Sequence, residues 1–85
     1  MPRFYFDFYQ DGKQISSDDE GTELPDILAA QEEASRALGE FARDTLKGRM
    51  GLIDLHINVR DAWQRQILTT SIHFETQFYA PGLSS

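Results

Sequence analysis

The chain alternates between hydrophobic and polar residues in three stretches, which predicts three long strands. These stretches are RFYFDFYQ at residues 3–10, LIDLHINVR at 52–60 and RQILTTSIHF at 65–74. A period of two, rich in aromatic and β-branched residues, is typical of half-buried strands. Asp11 and Gly12 follow the first strand and favour a hairpin turn, because both tolerate positive φ. We therefore expect a short return strand at QISSD, residues 14–18, at the edge of the sheet.

Between the first and second pairs of strands the hydrophobic period lengthens, which predicts one helix over about residues 26–47. The apolar stripe comprises Ile27, Ala30, Ala34, Ala37, Leu38, Phe41, Ala42 and Leu46. This spacing of three and four residues is that of an amphipathic helix. Asp26 precedes the stripe and is the expected helix N-cap. The sequence thus predicts an α+β fold of order β-β-α-β-β, in which an antiparallel sheet of about four strands packs on one long helix.

The length of 85 residues predicts a single domain, which we place at residues 1–76, with a flexible tail at 77–85. No cysteine is present, so a disulfide cannot reinforce so small a core. No apolar run approaches the roughly 20 residues that cross a bilayer. The opening MPRFYFDFYQ also lacks the layout of a signal peptide. We expect a cytoplasmic protein that does not contact membranes.

The net charge of −6 argues against a nucleic-acid partner, because such binding relies on Lys and Arg at phosphates. An alternative nevertheless stays open. Tyr5 and Tyr9 on one sheet face, with Arg3 and Arg60 nearby, resemble sheets that stack RNA bases. A nucleic-acid-associated or antitoxin-like regulator is therefore a second hypothesis. The likeness to antitoxins is one of architecture alone.

The acidic segment SSDDEGTELPD at residues 16–26 raises the question of a metal site. An EF-hand register that starts at Ser16 places Asp18, Glu20 and Gly21 correctly. Position one is then a serine, however, and position twelve is Ile27, which has no side-chain oxygen to donate. We expect the segment to join a strand to the helix and to hold no metal or cofactor. An acidic-loop metal binder is the third hypothesis.

Acid–base chemistry has few candidates in this sequence. His56 and His73 could act with Asp54 or Glu75. The chain contains neither a recognisable nucleophile elbow nor a glycine-rich phosphate loop. We therefore predict no catalytic residues and a protein that is not an enzyme.

The side of the sheet away from the helix is the candidate interaction surface. Its predicted contact residues are Tyr5, Tyr9, His56, Arg60 and, in the following turn, Trp63. Tyr, Trp and Arg are enriched at protein interfaces, and dimerisation stabilises small chains. We expect a homodimer, and the same surface could bind a second protein that the sequence does not identify. Trp63 either folds back on the core or is an exposed anchor for a partner.

Three motifs carry a resemblance to a known family. They are the opening MPRFYFDFYQDG, the joint DDEGTELPDILAAQEEASRAL and the strand LIDLHINVRD. Over roughly residues 1–75 the chain resembles small bacterial proteins that carry a domain of unknown function. The Asp-Glu-Gly and Leu-Pro-Asp joint before an alanine-rich helix is the most specific part. The turn DAWQ and the longer last strand depart from the family pattern. The resemblance implies a fold and a bacterial cytoplasmic setting, and it brings no catalytic residues.

Overall fold

The order of elements is the one that the hydrophobic pattern predicts. A computed structural model describes residues 1–80 and confirms an α+β fold with an antiparallel sheet and one long helix. Its elements are β1 (Arg3–Gln10), β2 (Lys13–Ser16), β3 (Thr22–Glu23), α1 (Ile27–Leu46), β4 (Leu52–Arg60) and β5 (Gln66–Glu75). The first hairpin turns at Asp11 and Gly12, which both have positive φ.

The sheet has five strands rather than about four. Its main path is β2-β1-β4-β5, and the two-residue strand β3 pairs with the start of β1. Two residues are too few to produce a period, so this strand gives no signal in the sequence. Leu24 N–H donates to Pro2 O beside it, which extends the pairing by one bond. The acidic segment before the helix, residues 16–26, is therefore part of the sheet, and we call it the acidic connector.

The hydrophobic core lies between α1 and one face of the sheet. Four residues of β4 that point towards the helix are the most deeply buried large side chains: Ile53, Leu55, Ile57 and Val59. Phe4 and Phe6 of β1 complete the sheet side of this core. On α1 the buried positions are Ala30, Ala34, Leu38 and Ala42. Three alanines on this face let the helix lie close to the sheet.

The helix begins and ends within one residue of the predicted bounds. Asp26 occupies the N-cap position, and its Oδ1 accepts a hydrogen bond from Ala29 N–H at 2.9 Å. The predicted stripe differs from the structure at its first member, since Ile27 is exposed. Among the residues described, no helix is both long enough and apolar enough to cross a membrane.

The predicted tail at residues 77–85 lies only partly within the described part of the chain. Residues 77–80 are exposed and lie outside any helix or strand. The rest of the predicted flexible tail, residues 81–85, lies outside the described part of the chain.

The burial of β4 gives a direct test of the packing. Leu55 is 0% exposed, so Leu55→Ala should lower the free energy of unfolding by about 2–5 kcal/mol through a cavity under α1. Leu52 on the same strand is 65% exposed. Leu52→Ala is therefore the matched control and should cost less than about 0.5 kcal/mol. Urea unfolding followed by circular dichroism measures both variants, and equal losses would contradict the assigned strand faces.

Candidate functional site on the outer sheet face

The outer face of the sheet, on the side away from α1, carries two cross-strand pairs that bring together four predicted interface residues. Tyr9 lies opposite His56, and their rings stack at 4.5 Å with an angle of 7°. Tyr5 lies opposite Arg60, whose guanidinium sits 5.1 Å from the ring centre. The two pairs are four positions apart along β1, which corresponds to about 13 Å. The outer face therefore presents two ordered aromatic groups rather than one continuous patch.

Asp7 lies between Tyr5 and Tyr9 on β1 and forms an ion pair with Arg60 that the sequence interpretation missed. Asp7 is only 5% exposed, although it is on the outer face. Arg60 donates to both of its carboxylate oxygens, from Nε to Oδ2 at 2.6 Å and from Nη2 to Oδ1 at 3.0 Å. The hydrogen bond from Arg60 holds the pKa of Asp7 below its usual value, against the opposing effect of burial. Asp7 therefore stays ionised and keeps Arg60 fixed.

The acidic connector covers this ion pair. Asp18 N–H donates to Asp7 Oδ1 at 3.0 Å, and Arg60 Nη2 donates to the carbonyl oxygen of Asp18 at 2.7 Å. The carboxylate of Asp18 contacts β1 as well. Its Oδ2 accepts a hydrogen bond from Phe6 N–H at 3.1 Å. Phe6 lies between the part of β1 that pairs with β3 and the part that pairs with β2. Asp18 thus replaces a missing strand at this point of the sheet edge.

The same carboxylate also fixes the turn that follows it. Asp18 Oδ1 accepts from the N–H groups of Glu20 and Gly21, at 3.1 and 2.9 Å. Gly21 has a φ of +74°, and a Cβ there would lie 2.7 Å from Arg3 Cγ and 2.9 Å from Tyr5 Cε2. Glycine is required here both by the left-handed conformation and by close contact with β1.

An open cleft of about 510 Å³ lies where the connector meets the sheet. Its lining includes Tyr5, Asp7 and Arg60 from the sheet and Asp18 and Asp19 from the connector. Asp7, Arg60 and Asp18 are hydrogen-bonded to one another or to backbone groups, as described above. Across residues 1–80, no group of three or more His, Cys, Asp or Glu side chains is arranged to hold a metal ion.

Trp63, the fifth predicted interface residue, lies apart from the two pairs in the turn between β4 and β5. Trp63 does not fold back on the core, because it is 75% exposed. Its use as an anchor for a partner stays a prediction. Asp61 holds the turn by accepting from the N–H groups of Trp63 and Arg65, each at 2.9 Å. Gln64 has a φ of +67°, a left-handed conformation that glycine usually adopts. The guanidinium of Arg65 lies 5.2 Å from the Trp63 ring centre.

The histidines of the outer face have different surroundings. His56 is stacked on Tyr9, whereas His73 Nδ1 lies 2.5 Å from Asp54 Oδ1 on the neighbouring strand. The hydrogen bond with Asp54 raises the pKa of His73. Both members of this pair are well exposed, so it has the character of a surface ion pair.

A test of the connector compares two neighbouring carboxylates. Asp18→Asn replaces one oxygen by an amide group that cannot accept from a backbone N–H, so we expect a loss of about 1–3 kcal/mol in the free energy of unfolding. Asp19→Asn is the matched control, since Asp19 is exposed, and it should change stability by less than about 0.5 kcal/mol. Urea titration measures the difference. If both variants were equally stable, Asp18 would not seal the β1 edge.

The Asp7–Arg60 pair predicts a specific dependence of stability on pH. The folded-state pKa of Asp7 is lowered, so its stabilising contribution is fully present above the ordinary aspartate pKa of about 3.9. That contribution is lost as the pH falls through the lowered value. The difference in unfolding free energy between the wild type and Asp7→Asn should therefore be constant from about pH 7 to 5 and shrink below about pH 4. Denaturant titrations at each pH measure it, and an unchanged difference at pH 3 would contradict the assignment.

Comparison with known proteins gives the chain a family. A family model described as a domain of unknown function, DUF6894, matches residues 3–73. No curated protein and no solved structure matches the chain. The matched range begins with the first residue of β1 and ends within β5, so it includes the outer-face pairs, the acidic connector and the Trp63 turn. This confirms the resemblance found in the sequence motifs: the chain belongs to the DUF6894 family, a domain of unknown function.

Proposed function

We propose that this protein is a non-enzymatic protein-interaction module that self-associates as a homodimer and has a regulatory or stress-related role in the bacterial cytoplasm. The observation that carries the proposal is the ordered aromatic surface on the open face of the sheet. Tyr9 stacked on His56 and Tyr5 under Arg60 are held in place by neighbours in the same chain. Side chains that are already ordered lose less entropy when a partner binds.

Trp63 adds an anchor at one end of this surface. A large exposed aromatic side chain is favourable in an interface when its backbone is fixed, and Asp61 fixes this turn through two backbone hydrogen bonds. Arg65 beside the ring supplies a second side chain of the type that dominates interface energetics. The surface thus combines aromatic area with charged groups at its margin, as protein interfaces commonly do.

The ionised groups near the cleft support a structural use rather than a catalytic one. Asp7 and Arg60 satisfy each other, and Asp18 accepts from three backbone N–H groups. A general acid must bring a proton-donating atom, and a general base a proton-accepting atom, within reach of a substrate. These groups direct their oxygens and N–H groups towards the protein itself.

The same contacts weaken the case for the other two hypotheses. A nucleic-acid partner would need Arg3 and Arg60, yet Arg3 is paired with Glu23 and Arg60 with Asp7. An acidic-loop metal site would need the Asp18 carboxylate, which already holds the connector. An interaction module does not require any of these contacts to break.

The proposal is tested by partner capture with a double variant. Tyr9→Ala combined with Trp63→Ala removes one ordered pair and the anchor, so proteins enriched by the wild type from its own cells should be lost. Tyr79→Ala is the matched control, because Tyr79 is as exposed as Trp63 but lies beyond β5. Native mass spectrometry of the wild type should show a dimer.

Three outcomes would contradict the proposal in different ways. If both variants enriched the same proteins as the wild type, the outer face would not be the contact surface. A monomeric wild type at about 100 µM would remove the self-association, because a functional dimer needs micromolar affinity or better. Captured nucleic acid that dissociates steeply with salt would favour the regulator hypothesis instead.

A further inference from the structure

The two edges of the sheet differ in whether their backbone hydrogen-bonding groups are paired. On the β1 side, β2, the Asp18 carboxylate and β3 together occupy the edge. On the other side β5 is the last strand, and no strand within residues 1–80 pairs with its outer edge. An open strand edge is a template for pairing with another chain. The ten residues of β5, Gln66–Glu75, form an unusually long one.

The hydrogen bonds of neighbouring strands identify the backbone groups at this open edge. Asp54 N–H and C=O both bond to Asp11, on the side of β4 that faces β1. Because backbone groups alternate along a strand, those of Leu55 face β5 and pair with Ile72. The N–H and C=O groups of Thr69, Ser71 and His73 then point outwards from β5. They form a regular row of donors and acceptors.

The side chains of β5 lack the devices that usually protect an edge. The strand contains no Lys, Arg or Pro, and its register irregularity lies at the Gln66 end. Its charged groups, Glu75 and His73 in its pair with Asp54, lie towards the opposite end. Residues 67–72 are therefore uncharged and regular, and another strand could pair with them despite the net charge of −6.

The helix side of β5 also leaves apolar surface only partly covered. Leu68, Ile72 and Phe74 pack against the core but remain half-buried, whereas their neighbours on β4 are fully buried. A strand placed beside β5 would extend the sheet under these side chains. Burial of apolar area in this way is the main favourable term in protein association.

We propose that two copies of this chain pair through β5, antiparallel and centred on Ser71, so that one sheet continues through both copies. This rests on the self-association proposed above and places it at the β5 edge, so that the outer face stays free to bind a second protein. Ser71 then faces Ser71 of the second copy, and Thr69 faces its His73. On the helix side Leu68 faces Phe74 of the second copy. No two like charges lie opposite each other in this register, which satisfies the main electrostatic condition for a strand pair.

The position of α1 suits this arrangement. The helix packs over both β4 and β5. Strands in a sheet are about 4.8 Å apart, so two helices centred between these strands would lie about 10 Å apart across the dimer axis. That separation is close to the usual distance of 8–10 Å between packed helices. The two copies can therefore join their sheets while their helices meet side by side.

The test uses the symmetry of the pairing at Ser71. Ser71→Lys and Ser71→Glu each place two like charges opposite each other across the interface and should raise the dimer dissociation constant by about tenfold or more. An equimolar mixture of the two variants should restore the dimer, because Lys then faces Glu. Gln14→Lys is the matched control: it adds the same charge at an exposed position of β2, on the opposite edge, and should leave the dimer intact. Sedimentation velocity over a concentration series measures the wild type, the three variants and the mixture, and circular dichroism verifies that each is folded.

A proline variant provides a second, independent measurement. Ser71→Pro removes an N–H group that points outwards, so it should weaken the dimer without removing a bond to β4. If the wild type and both the Lys and Pro variants were equally dimeric, β5 would not be the interface, although the proposed self-association would stand. If the wild type were monomeric throughout, both the self-association and the β5 pairing would be overturned. Loss of the dimer with recovery in the mixture would support the β5 pairing.

Discussion

The ion pair between Asp7 and Arg60 is the interaction on which the outer half of this fold depends. A carboxylate buried in a strand of aromatic residues would be costly without a partner. Arg60 supplies that partner through two hydrogen bonds, and it also binds the carbonyl oxygen of Asp18. The guanidinium that compensates the charge of Asp7 therefore also positions the connector. Once the connector is in place, the Asp18 carboxylate completes the edge of β1.

This arrangement follows from a constraint of size. One helix of twenty residues covers only one face of the sheet, so the other face must be organised without a second layer. The chain does this with polar and aromatic contacts between neighbouring strands. Tyr9 with His56 and Tyr5 with Arg60 are ordered by the strand register rather than by burial in a core. The face stays accessible and yet has a defined shape, which is the property that an interaction surface needs.

The elements with a clear period could be predicted from the sequence, whereas the contacts between distant side chains could not. The three long strands, the helix and the N-cap position of Asp26 follow from local patterns, and the structure contains them. The strand β3 is too short to have a pattern. Asp7 gives only a weak signal, as a single charge within aromatic residues. Its partner Arg60 is 53 residues away, and only the β1–β4 register brings the two together.

The roles of the individual carboxylates in the acidic connector could not be predicted from the sequence either. Five carboxylates in nine residues suggest a metal loop or simple solvation when only their number is considered. In the structure their individual roles differ: Asp18 accepts from strand and turn N–H groups, whereas Asp26 caps the helix. These roles depend on where each side chain meets the backbone, which composition does not reveal. The left-handed conformation of Gln64 is likewise set by the contacts of Asp61 and not by residue preference.

One edge of the sheet is closed by Asp18, and we propose that the other pairs with a second copy. Amide hydrogen exchange, followed by NMR at low and high protein concentration, tests both parts in one measurement. We expect the Phe6 amide to exchange slowly at both concentrations. The amides of Thr69, Ser71 and His73 should exchange fast in dilute protein and become protected as the concentration rises. A Phe6 amide that exchanges as fast as an open strand edge, or a Ser71 amide that stays unprotected at every concentration, would contradict the claim.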